Sequence, residues 1–150
     1  SVSLDTLSPV LEVPGMSFYA LQKDITDDER RQIEGRASDM SGELTDFAET
    51  AAIMENLDLV LAVDTAVVHL AGACGRPVWL LNRYGNDWRW LVDRTDSPWY
   101  PTVRIFPQSR PNDWEQAIRD VVEALRQWYR SELTSDCSDR PAARRTEKQR

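Results

Sequence analysis

The sequence predicts a parallel α/β sheet carrying helices on its faces. Two runs, LDLVLAV at 57–63 and PVWLL at 77–81, stay apolar without alternating, as strands buried on both faces do. Helical patterns separate the strand-like runs at the spacing of βαβ units. With 150 residues, of which 41% are hydrophobic, the chain is long enough for one real core.

Each element has its own signal. Residues 3–12, SLDTLSPVLE, read as a short helix with Leu4, Leu7 and Leu11 on one face and Ser3 as its cap. Pro14-Gly15 stops it. Residues 17–21, SFYAL, are a short apolar strand. A charged segment follows, with helix expected over Asp27–Ile33, and residues 36–43 form a loop with room for a very short strand. Residues 45–56 predict a helix with Phe47, Ala51 and Met54 inward. Strand 57–63 is followed by helix 66–74 and strand 77–81. A polar, aromatic loop spans 82–101, and VRIF at 103–106 is a short strand. The strongest helix is 113–130, with Trp114, Ile118, Val121, Val122, Leu125 and Trp128 on one stripe. These readings give one domain over residues 1–130. Residues 131–150 hold one leucine and no aromatic; a disordered tail is expected, because such a segment cannot offset its ordering entropy by burial.

The formal net charge of −7 argues against nucleic acid as the main partner, since phosphate backbones call for a basic face. No run reaches membrane-spanning length and no signal peptide opens the sequence. The two cysteines, Cys74 and Cys137, suggest neither a disulfide framework nor a metal site. A cytoplasmic protein is the expectation. Five of six tryptophans fall within residues 79–114, a clustering that asks for a reason.

The stretch VDTAVVHLAGACGRP, residues 63–77, carries the chemistry. A buried strand ends at Asp64-Thr65, and a helix begins there with the chain's single histidine, His69, one turn in. Ligands of open parallel sheets bind beyond the carboxyl ends of strands. The free N–H groups and dipole of a helix start attract phosphate. Helical side chains lean toward the N-terminus, so His69 reaches back over the first turn. Val67, Leu70, Ala71 and Cys74 are expected to face the sheet, which leaves His69 off that stripe. Asp and Thr are also ordinary helix starters, and a lone histidine is often a packed residue. The residues alone leave both readings open. Neither G-x-G-x-x-G nor a Walker pattern occurs, which argues against a dehydrogenase-type half.

The run D-T-A-x-x-H-L-A-G-A-x-G-R-P-V-W resembles the donor-binding segment of glycosyltransferase family 9, the heptosyltransferase-like enzymes, and in particular such domains in bacterial tetratricopeptide-repeat proteins. The resemblance runs from Ser1 to about Tyr129. It includes S-L-x-x-L-x-P-V-L, P-G-x-x-F-Y-x-L-Q-K, L-x-D-F-A-E-T-A-A, D-W-R-W-L and D-S-P-W-Y-P. It implies a Rossmann-like domain, the C-terminal half of a GT-B fold, that binds a nucleotide-diphosphate sugar and transfers the glycosyl group to a hydroxyl. By resemblance, Asp64, Thr65, Ala66 and His69 bind the donor's diphosphate or sugar. Ala66 stands where many members have glycine, and it keeps the N–H. Lys23, with Gln22 and Asp24, lies where the family contacts the nucleoside; a solvated loop is the alternative there. Trp88 and Arg89, with Asp87 and Trp90, fall at the sugar end. Trp99, Tyr100 and Pro101 read as a self-packed part of the loop. No cofactor or metal is required, and there is no Asp-x-Asp motif.

The resemblance also implies parts outside these residues. The family places the acceptor site and general base in an N-terminal half, so no catalytic residue is assigned and residues 1–150 alone are expected to be inactive. It places a further strand before the Ser-x-x-Leu helix. Without that strand, either a homodimer or an N-terminal domain completes the sheet and cleft, or the strands at 17–21 and 57–63 pair directly. The alternative function is a non-catalytic or truncated module acting in binding or protein interaction.

Overall fold

A computed structural model describes residues 2–85, 90 and 95–138, with side chains through Leu133 in the final helix. Five helices and five strands lie among the described residues. In chain order they are α1 (Leu4–Leu11), β1 (Phe18–Ala20), α2 (Asp27–Ile33), β2 (Ala37–Asp39) and α3 (Phe47–Glu55). Then come β3 (Val60–Val63), α4 (Ala66–Ala73), β4 (Val78–Asn82), β5 (Val103–Pro107) and α5 (Glu115–Ser138).

All strand pairs are parallel, as the alternating pattern implies. They form two sheets, β1-β2 and β3-β4-β5. Phe18 registers with Ala37, Val60 with Val78, and Val78 with Val103. The fold is mixed α/β with parallel sheets flanked by helices. β1 and β3 do not pair, which corrects the direct-pairing alternative: each keeps one edge without a strand neighbour among the described residues. The opposite edge, on β5, is covered. Asp96 bridges antiparallel to Arg104, and the Ile105 N–H donates to the Thr95 carbonyl at 2.8 Å. Such covering protects an edge from stray pairing.

β4 is the centre of the core. All five of its residues are buried, and its pleat divides them between two layers. Trp79 and Leu81 join Val10, Val13, Phe106, Trp114, Ile118, Val121 and Leu125 under α1 and α5. Val78 and Leu80 join Met54, Val60, Val68, Ala71, Trp90, Val103 and Ile105 under α3 and α4. Each large apolar side chain so buried is worth roughly 1.5–3 kcal/mol against exposure. Gly15, at φ +82°, turns the chain out of α1, and a Cβ there would lie 2.4 Å from the Tyr129 ring.

Four local expectations change. Phe47 is 68% exposed, so Met54 alone anchors α3 with its side chain fully buried. α4 buries Val68, Ala71 and Gly72, while Cys74 is exposed. The apolar stripe thus sits one position from where the pattern put it, because nearly every residue of AVVHLAGA is small or apolar and carries little phase. β3 is only partly buried beyond Val60, since it has a strand on one side only. Finally, α5 runs on to Ser138. Helix therefore replaces the first part of the expected tail; residues 139–150 lie outside the described residues.

Candidate functional site

The carboxyl rim of β3 delivers Asp64 and Thr65 to the start of α4. Three other helices close their first turns with a side chain. Ser3 accepts from the Thr6 N–H at 3.3 Å, Thr26 from Glu29 at 3.3 Å, and Asp46 from Glu49 at 2.8 Å. α4 does not. Its cap Thr65 has extended backbone and no side-chain cap bond. The Thr65 hydroxyl instead donates to the Val63 carbonyl at 3.2 Å. No acidic residue occupies the first turn of α4, and Asp64, Thr65 and Ala66 are all exposed. Among the described residues the first N–H groups of α4 thus have no side-chain acceptor, at a helix start whose residues 64–66 are exposed. An anion at such a helix start gains about 0.3–1 kcal/mol, up to ~2 in partly buried geometry.

His69 reaches back toward this mouth, as helical side-chain lean predicts. Its Nε2 lies 3.4 Å from Asp64 Oδ1, an ion pair when the ring is protonated. Its Nδ1 lies 3.3 Å from the Tyr100 hydroxyl. The ring stacks on Trp90 at 5.4 Å and 21°, and meets the Tyr100 ring edge-on at 5.9 Å and 60°. Its side chain remains 36% exposed, so the imidazole is placed by three neighbours yet is open to solvent.

Trp90 is fully buried and belongs to the α3–α4 core layer. That corrects its sequence-based place at the sugar end: it is the floor beneath His69. Tyr100, read from sequence as loop packing, touches the site directly. Its ring fills the space beside Gly72, where a Cβ would lie 2.7 Å from Tyr100 Cγ. The Tyr100 N–H donates to Ser97 Oγ at 3.3 Å, and its carbonyl accepts from the Val103 N–H at 3.0 Å. These bonds hold the loop end over α4.

The next rim positions were not singled out from sequence. Asn82, 4% exposed at the end of β4, leaves its Oδ1 without a hydrogen-bond partner. Gln108, 6% exposed beyond β5, accepts from the Tyr84 N–H at 3.0 Å through Oε1 and donates its own N–H to the Asn82 carbonyl at 2.8 Å. A polar residue directly following a buried strand was the signal available for both.

Lys23 is exposed in the loop after β1 and makes no contact with the His69 cluster. Gln22 is engaged elsewhere, its amide donating to Glu29 Oε1 at 3.3 Å. Glu29 closes the start of α2; the Thr26 N–H donates to its carboxylate at 2.8 Å and holds its pKa below the ordinary value. Asp39 is lowered likewise, first by the Ser41 N–H and then by the Ser41 hydroxyl and Arg30. Trp88, Arg89 and Asp87 lie outside the described residues. Among the described residues no three His, Cys, Asp or Glu side chains converge as a metal site. An open groove between α1 and α5, lined in part by Asp5, Pro9, Trp114 and Glu123, shares no residue with the His69 cluster.

These features define a parallel α/β module whose uncapped helix lies at the carboxyl rim of its sheet, where proteins of this architecture take their ligands. Residues 22–125 match the family profile of Glycosyltransferase family 9 (heptosyltransferase), and the chain belongs to that family. It is also 31% identical over 132 residues to Protein FlbA of Caulobacter vibrioides, an alignment taking in 82% of this chain and 21% of FlbA. The chain therefore spans about one fifth of that relative's length (21%). No solved structure matches it. No helix among the described residues is long and apolar enough to cross a membrane.

Proposed function

We propose that this module binds the diphosphate of a nucleotide sugar at the start of α4, as the donor half of a glycosyltransferase. The observation that carries the reading is the uncapped first turn of α4, with His69 leaning back over it. In this reading the N–H groups of Ala66 and Val67 donate to phosphate oxygens, joined by the Thr65 hydroxyl once it turns away from the Val63 carbonyl. His69 adds a side-chain donor. Asp64 orients the ring and is placed to accept from a sugar hydroxyl. By the family resemblance Lys23 is assigned to the nucleotide, and Trp88 and Arg89 to the sugar.

In the parent reaction an acceptor hydroxyl displaces the nucleoside diphosphate with inversion at the anomeric carbon. The helix start and His69 stabilise the charge gathering on the departing diphosphate. Helix dipole and donors serve where other transferases use a metal. The acceptor site and base come from a separate N-terminal half. A strand from that half, or a second copy of this chain, fills the space between the free edges of β1 and β3. Helical repeats elsewhere in the same polypeptide and a cytoplasmic setting go with this reading.

Titration of UDP, ADP, GDP and their sugars against thermal stability tests it. A ligand at a hundred times its Kd adds about 2.7 kcal/mol by linkage, or roughly 5–10 °C in Tm for a domain of this size. His69→Ala removes a charge-assisted bond worth about 1.5–3 kcal/mol and thereby most of that rise. A family fold kept for protein interaction alone would leave the Tm flat with every nucleotide.

A further inference from the structure

We infer that Tyr100 is a positioning residue that fixes the tautomer and aim of His69. An ionised carboxylate only accepts hydrogen bonds. Asp64 Oδ1 stands 3.4 Å from Nε2, at ion-pair distance and not in a formed hydrogen bond; in the neutral ring the nearby carboxylate favours the tautomer with the proton on that nitrogen. Nδ1 is then an acceptor, and the Tyr100 hydroxyl at 3.3 Å donates to it. The two partners come from opposite sides of the ring and from segments far apart in sequence, which makes the arrangement a property of the fold.

The surroundings leave the phenol little freedom. Its ring occupies the space that Gly72 leaves by lacking a side chain. Its backbone is tied to Ser97 and Val103. Trp90, fully buried, closes the face of the imidazole opposite the solvent. With Nδ1 engaged by Tyr100, Nε2–H is the donor His69 has at the α4 mouth, and a ligand there shares it with Asp64. A donor whose rotamer and tautomer are set before the ligand arrives saves the ordering cost of binding. The consequence for binding rests on the donor-site reading above; the tautomer does not.

The chain has one histidine, so its imidazole nitrogens can be read without overlap in long-range ¹H–¹⁵N spectra. The neutral ring of the wild type is expected to show the Nε2–H form alone. Tyr100→Phe keeps the aromatic ring beside Gly72 and removes only the hydroxyl. It is expected to keep the Tm within a few degrees and to yield a mixture of tautomers. It should also weaken nucleoside diphosphate binding by about 3–10-fold, the effect of one neutral hydrogen bond. A wild-type ring in the Nδ1–H form, or a tautomer unchanged in Tyr100→Phe, overturns the assignment. A changed tautomer with unchanged affinity overturns its role toward the ligand. Binding by neither protein overturns the donor reading, while the spectra still decide whether Tyr100 sets the ring.

Discussion

Replacing Gly72 by alanine sets two opposing effects against each other, and the structure says which wins. In a helix interior alanine is worth about 1 kcal/mol more than glycine. Gly72 is buried, however, and an added Cβ would lie 2.7 Å from Tyr100 Cγ, 2.9 Å from Cδ1 and 3.2 Å from Cβ. These atoms belong to the root of the side chain, so a rotation at its tip gives no relief. Tyr100 is also held by its backbone bonds. Overpacking of this kind costs about 1–3 kcal/mol. Gly72→Ala is therefore expected to destabilise by about 1 kcal/mol net, a fall of roughly 2–4 °C in Tm. In a Tyr100→Leu background the obstructing ring is gone, and the same substitution should stabilise by up to about 1 kcal/mol. Urea melts of the four proteins give the coupling directly. A stabilising Gly72→Ala in the wild-type background, or the same effect in both, would refute the packing of Tyr100 against α4 and with it the support beneath His69.

Three further outcomes follow from the geometry. Met54→Ala should cost about 2–5 kcal/mol in urea melts, as deletion of a fully buried side chain does, whereas Phe47→Ala, at a position 68% exposed, should stay within about 0.5 kcal/mol. Gly15→Ala meets both a positive φ and the Tyr129 ring; adding Tyr129→Ala should restore only the part due to the clash, leaving the backbone cost of about 1 kcal/mol. The Glu29 carboxyl titrates below its ordinary 4.5 in the folded chain because the Thr26 N–H and hydroxyl bond to its ionised form. Its contribution is therefore present above 4.5 and lost as pH falls through the lower folded value. Glu29→Gln, which cannot ionise, should flatten that part of the acid stability profile, and an unchanged profile would show that the capping box adds nothing.

The elements were readable where local physics fixes them. The unbroken apolar run at β4, short and bounded by Pro77 and Asn82, reads as a strand buried on both faces, and all its residues are buried. Ser3 and the Asp27–Ile33 segment begin helices where their capping chemistry says they should. The α4 stripe was misplaced because a helix made almost wholly of small and apolar residues has no clear polar face. Helix past residue 130 carries no burial signal in the sequence; α5 reaches Ser138 as an extension of a helix already nucleated on the core, with residues 131–133 exposed. In the candidate site, Asp64 and His69 are five residues apart and their meeting follows from helix geometry. Tyr100 and Trp90 were not placeable in the same way. Tyr100 reaches His69 across 31 residues, through a loop whose path is set by tertiary contacts.

The most direct measurement is the backbone amide spectrum of the chain during titration with UDP, ADP and GDP. Diphosphate binding at the α4 start predicts that one of them shifts the amides of Ala66 and Val67 saturably, together with the imidazole of His69, and that His69→Ala raises the Kd about tenfold or more. Saturable shifts confined to other surfaces, such as the groove between α1 and α5, or no shifts with any of the three, would contradict it.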